Sequence, residues 1–154
     1  MCSYFAKYDP GYPSYNTTDN NIPDNGGKYN RIGRAFPDIS AIGQDFPIQA
    51  MGQQKYVGGT SMSTPLTASI VNLINEARLK AGKSPVGFIN PALYKAPADI
   101  FNDVTVGNMT DPDNPAAGNC GTGIGFSAVP GYDPVSGLGT PRYEKWEAYF
   151  LSLP

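Results

Sequence analysis

The chain has 154 residues, 40% hydrophobic and 16% charged, with a formal net charge of −2. That suits one globular domain with a real core, and no basic stripe exists to hold nucleic-acid phosphates. No apolar run approaches the ~18 residues that span a membrane, and the absence of histidine excludes Ser-His-Asp, Cys-His and His-ligated zinc chemistry within these residues.

The 18 glycines and 15 prolines are scattered without a period, which predicts a loop-rich chain with many turns. Residues 1–36 are rich in Tyr, Asn, Asp, Pro and Gly, with turn marks at Asp9-Pro10 and Asn25-Gly26. They are expected as an extended segment lying over a domain that it does not nucleate, and we place its boundary with the rest at 32/33. Tyr4, Tyr8, Tyr12 and Tyr15 read as the surface packing of a long loop, with a substrate-binding aromatic stripe as the alternative. The N-terminus lacks the basic-then-apolar order of a signal peptide. Two sequons, Asn16-Thr17-Thr18 and Asn108-Met109-Thr110, fit a secretory route. Cys2 and Cys120 can pair in one disulfide, or Cys2 stands alone.

Further along, Ala35–Ala41 is a candidate short strand, and residues 47–57 offer a second extended stretch. Gly58-Gly59 makes a sharp turn. A helix is then expected over Ser63–Ala81, with Leu66, Ile70, Leu73, Ile74 and Ala77 on one apolar face. Pro65 fits the first turn, Glu76 and Lys80 form an i,i+4 pair, and Gly82 is the stop. A shorter helix follows Asn90-Pro91, carrying Leu93 and Tyr94. Residues 102–141 return to glycine-rich loops, and Tyr143–Leu151 makes a closing helix with Trp146 and Phe150. Strand, glycine turn, helix is the order of α/β architecture, with functional groups at the strand-to-helix corner.

The richest chemistry lies in Gly58-Gly59-Thr60-Ser61-Met62-Ser63-Thr64-Pro65. Ser61 just before a helix would have unpaired N–H groups and the positive dipole end beside it, which suit a developing oxyanion. On local chemistry alone, the favoured reading is that Ser63 or Thr64 caps the helix and nothing more.

The segment Gly59–Pro65 resembles the nucleophile motif of the subtilase superfamily, and its Ser-Thr-Pro ending resembles the sedolisins, the serine-carboxyl peptidases. Gly33–Ala41 resembles the strand before the nucleophile, and Gly87–Tyr94 the segment after the serine helix. Phe101–Gly107 and Pro130–Pro141 resemble the family's calcium-binding loops. The resemblance runs from about residue 3 to 147, whereas a classical subtilisin matches less well. It implies an α/β, subtilisin-like fold with a parallel sheet flanked by helices, of which residues 1–154 would be the C-terminal part of one peptidase domain.

It further implies Ser61 as nucleophile and a peptide or protein as substrate. In sedolisins the serine is activated by the glutamate of a Glu-x-x-x-Asp pair that shares one helix face. A carboxylate base suits acid, where histidine would be protonated. That places the parent in a secreted setting or an acidic vacuolar or lysosomal compartment. Here the only glutamates are Glu76, Glu144 and Glu147, and no Glu-x-x-x-Asp occurs. The pair is expected upstream, in an N-terminal part of the same precursor. Asp38 and Asp45 come too late to replace it, and Asp38 reads as a strand-end acceptor.

One calcium ion is implied, held by the carboxylates of Asp103 and Asp133 and the carbonyls of Val104, Val129 and Gly131. The plainer reading is that both aspartates close turns. Asp111 and Asp113 are expected to face solvent. The competing class is a non-catalytic calcium-binding product or pseudoenzyme.

Overall fold

A computed structural model describes residues 2–8, 13–18, 27, 29–109 and 125–154. The turns at Asp9-Pro10 and Asn25-Gly26, Tyr12, Thr110, Asp111, Asp113, Cys120 and the Cys2 side chain lie outside the described residues. The chain divides into two compact units, one comprising residues 1–38 and 103–138, the other 39–102 and 139–154.

In the first unit a short helix, α1 (Cys2–Phe5), precedes two-residue strands β1 (Ser14–Tyr15) and β2 (Tyr29–Asn30), which pair in parallel. The N-terminal stretch was expected to lie over a core made elsewhere, but it supplies core itself. Tyr4 is only 3% exposed. Its ring packs with Phe5, Tyr8 and Phe126, and Tyr29 stacks on Phe5. The Tyr4 hydroxyl donates to the Ser127 carbonyl and accepts the Ser127 N–H. The periodicity carried no sign of this, because the partners are far apart in sequence and aromatic clustering needs no period. Ala35–Ala41 forms no strand: Pro37 has no N–H to offer a ladder, and the Asp38 carboxylate is taken by the Arg34 guanidinium at 2.7 Å.

The second unit opens with a hairpin of β3 (Phe46–Ala50) and β4 (Gln53–Val57), in register from Phe46 opposite Val57 to Ala50 opposite Gln53. Met51 and Gly52 turn it with φ of 54° and 72°, the positive values that two-residue hairpin loops require. Helix α2 (Thr60–Lys80) follows, then α3 (Asn90–Lys95) and a 3-10 turn at Ala98–Ile100. Strands β5 (Phe101–Asn102) and β6 (Thr140–Pro141) pair antiparallel, the Phe101 end of β5 belonging to the second unit's core, and α4 (Tyr143–Ser152) closes the chain. Among the described residues the only parallel pairing is β1 with β2. The molecule is therefore α/β with short sheets.

The second core forms where α2 meets α4. Trp146 is fully buried and meets Phe101 and Phe150 edge-on, with centroids 5.7 and 5.8 Å apart. Ile74 is buried on α2, and Arg78, four residues on, is buried beside it. The Arg78 guanidinium donates to the carbonyls of Ser84, Phe150, Leu153 and Pro154, so a buried charge meets carbonyls just after α2 and at the end of α4. Leu73 was expected on the apolar face but is half exposed. It sits about 100° around the helix from Ile74, outside the stripe that faces α4. Glu76 and Lys80 pair at 2.6 Å as expected, and Gly82, at φ 72°, ends the helix with Lys83 N–H returning to the Arg78 carbonyl.

Trp146→Ala should cost about 3–5 kcal/mol, read from the midpoint of chemical unfolding. An unchanged midpoint would place α4 outside the core. In the first unit, burial pushes the Tyr4 hydroxyl above its usual 10.0, and burial with the nearby Asp38 charge does the same at Tyr132. The folded form thus favours neutral tyrosine. Its stability should be full below about pH 10 and fall as pH rises through the raised values. Alkaline unfolding followed by tyrosine absorbance checks this; stability constant to about pH 12 would refute it.

Candidate functional site

Gly58 and Gly59 lead from β4 into α2, and Gly59 takes φ 90° and ψ 174°, a conformation side-chain-bearing residues rarely adopt. The helix begins at the next residue. Ser61 is therefore its second residue, exposed to solvent, rather than a residue ahead of it. The first helical bonds are those of the Met62 and Ser63 N–H groups to the Gly59 carbonyl, at 3.0 and 3.4 Å. The N–H groups of Thr60 and Ser61 precede them and have no intrahelical acceptor. Pro65 lies a turn deeper than expected. Lacking an N–H, it leaves the Ser61 carbonyl without its usual helical donor.

Neither Ser63 nor Thr64 caps this helix; Gly59 is the N-cap, without a side-chain cap bond. Ser63 instead directs its hydroxyl to the carbonyls of Ile42, at 3.0 Å, and Ala41, at 3.3 Å. The Gly59 N–H bonds to the Gly43 carbonyl, and a Cβ on Gly43 would stand 3.0 Å from the Ser63 oxygen. Residues 41–43 are thus clasped to the start of the serine helix. The sequence reading missed this clasp, whose only signal was a glycine at 43.

Beside Ser61 lies a cavity of about 440 Å³, walled by Phe46, Ile48, Val57, Met62, Pro65 and Leu66. No charged side chain lines it. Among the described residues, the Ser61 hydroxyl makes no hydrogen bond and no acid or base is brought to it.

The second group of expected site residues belongs to the first unit. Asp133 is fully buried, and its carboxylate closes the turn around it. Oδ1 accepts the N–H groups of Val135 and Ser136 and the Ser136 hydroxyl, while Oδ2 accepts the Val129 N–H. Asp103 is exposed and accepts the Gly131 N–H at 2.7 Å through Oδ2. Both aspartates are therefore anchored on the 129–131 backbone, where Gly131 has φ 86°. The turn-closing role is real for Asp133.

Two carboxylates and backbone carbonyls are the oxygen ligands that a hard cation takes. Among the described residues, Asp103 Oδ1 accepts no hydrogen bond and Asp133 Oδ2 accepts one. Among the described residues no hydrogen bond ends on the carbonyls of Val104, Val129 or Gly131. No cluster of three or more acidic, Cys or His side chains exists among the described residues, so such a site would rely on these carbonyls.

The sequence is 49% identical to tripeptidyl-peptidase sed1 of Aspergillus fumigatus over 98% of this chain, and 47% identical to aorsin of Aspergillus oryzae over all of it. It is 41% identical to physarolisin of Physarum polycephalum over 82%. The chain belongs to the sedolisin family. It spans about a fifth of the length of these sedolisins, 22% in each case. No family model matches it.

Because Asp133 holds four donors in a dry site, Asp133→Ala should destabilise the first unit by on the order of 3 kcal/mol. Asp103→Ala, losing one exposed bond, should cost under about 1 kcal/mol. Equal losses in chemical unfolding would mean that the buried turn is not what Asp133 secures.

Proposed function

We propose that this chain is the serine-bearing, C-terminal part of a sedolisin peptidase domain of subtilisin-like fold. The whole domain would hydrolyse peptide bonds in acid through an acyl-enzyme on Ser61. The observation that carries this is the placement of Ser61: exposed, at a helix N-terminus behind a left-handed glycine, beside an uncharged apolar cavity. The dipole end and the early N–H groups favour negative charge developing there. Near-half identity to a tripeptidyl-peptidase supports the same reading.

The base would come from the remainder of the longer protein, as a glutamate–aspartate pair. Neither histidine nor any Glu-x-x-x-Asp exists among the 154 residues to supply it. A carboxylate base implies an acidic setting, hence a secretory or vacuolar location. One calcium ion would be held by the carboxylates of Asp103 and Asp133 and the carbonyls of Val104, Val129 and Gly131. It would cross-brace the 103–104 and 129–133 segments and offset the repulsion of two nearby carboxylates.

The same lack of a base favours a second reading, a calcium-binding product without turnover. The two diverge in one experiment. The chain alone should hydrolyse no unstructured peptide between about pH 3 and pH 7. Joined to its upstream region it should become active, and Ser61→Ala should then lower kcat by on the order of 10⁶-fold. An inactive joined protein would favour the second reading; full activity of the Ser61→Ala variant would mean the nucleophile is elsewhere. Chelation should lower the melting temperature of the joined protein. An ion bound at a hundredfold excess over its Kd adds about 2.7 kcal/mol. A melting curve indifferent to chelator would remove the calcium assignment and leave Ser61 untouched.

A further inference from the structure

The segment after β1 has a geometry that neither core nor catalysis requires. The Arg31 N–H bonds to the Tyr15 carbonyl at 2.9 Å, and the Asn30 side-chain amide bonds to the Thr17 carbonyl at 2.8 Å. The side-chain oxygen of Asn30, Oδ1, accepts the Ile32 N–H, which fixes the amide's direction. The backbone of residues 15–17 is thus fastened along one edge to residues 30 and 31. In an extended chain, residues two apart share a face. The exposures follow that rule: Asn16 and Thr18 are exposed, and Thr17 between them is half-buried. Asn16 and Thr18 are therefore both accessible at the surface, as an Asn-x-Thr acceptor sequon with a non-proline centre needs to be.

We infer that Asn16 is the acceptor of an N-linked oligosaccharide, an inference that rests on the secretory routing proposed above. The donor is an oligosaccharide carried on a lipid diphosphate, transferred by a lumenal enzyme. The bond from sugar C1 to the diphosphate oxygen breaks, and a bond from C1 to Asn16 Nδ2 forms. The amide gives up one proton and the lipid diphosphate leaves; nothing is oxidised or reduced. A glycan at this position projects from the outward face and displaces no buried group, because Tyr15 and Thr17, not Asn16, make the backbone anchors. The sequon at Asn108 offers a weaker case. Asn108 is bridged to Ser127, and its Thr110 lies outside the described residues.

The test is to carry the full chain into the secretory lumen of a eukaryotic host behind a cleavable leader, with lumenal residence shown by protease protection. Peptide mapping then reads the occupancy of Asn16 before and after treatment with a peptide N-glycosidase. Asn16 should be glycosylated, and the resulting mobility shift should be lost in Asn16→Gln. It should also be lost in Thr18→Ala, which keeps the asparagine, and be retained in Asn108→Gln. A lumenal chain with Asn16 unmodified would overturn the assignment. So would an Asn16 glycan that persists in Thr18→Ala. Neither outcome touches the peptidase reading, since routing is imposed and no activity is measured.

Discussion

The second unit turns on the backbone of one residue. Gly59 holds φ near +90°, and from that single conformation the chain leaves a hairpin strand and starts a long helix with no spacer. Any other residue there would meet the strain that a Cβ brings in the left-handed region. The same glycine supplies the carbonyl for the first two helical bonds and the N–H that reaches Gly43. It is cap, hinge and tether together, which is why no serine or threonine is needed as a cap. The hydroxyl released from that duty, on Ser63, goes to the 41–42 carbonyls and tightens the clasp.

The elements that were legible in the sequence are those whose cause is local. The body of α2, then α3 and α4 follow from apolar spacing, Pro91 near a start and Gly82 at a stop. The start of α2 was misplaced by three residues because the pattern rule favours a side-chain cap, and a glycine cap has no side chain to announce it. The strand expected at 35–41 failed for a related reason. Apolar content alone cannot make a ladder where Pro37 removes a donor and Asp38 is engaged by Arg34. The core role of Tyr4 depends on Ser127 and Phe126, more than a hundred positions away, and no window of sequence spans that.

Asp133 shows why two readings of one residue need not compete. As a turn closer it gathers donors from Val129, Val135 and Ser136 while fully buried. A buried carboxylate needs compensation, and backbone N–H groups give it without another charge. The same donors that stabilise the anion also fix the direction of its remaining lone pair. A cation arriving there would meet a ligand already oriented, and would not have to order it. On the proposed reading the turn would support a metal ligand, and only Asp103, exposed and singly bonded, would have to adjust.

The residue content of the serine region carries the last step. Apart from serine hydroxyls, the walls beside Ser61 are apolar and uncharged, while Leu73 and Leu79 stand exposed on α2 itself. A nucleophilic serine needs a base within hydrogen-bond reach, and a base in an apolar setting must be delivered by an element packed against that setting. On the proposed reading, the exposed apolar surface around the serine helix and the want of a base share one cause. The polypeptide that would cover the first would also bring the second. On the proposed reading the base is a carboxylate, so the chemistry asks no histidine of these 154 residues.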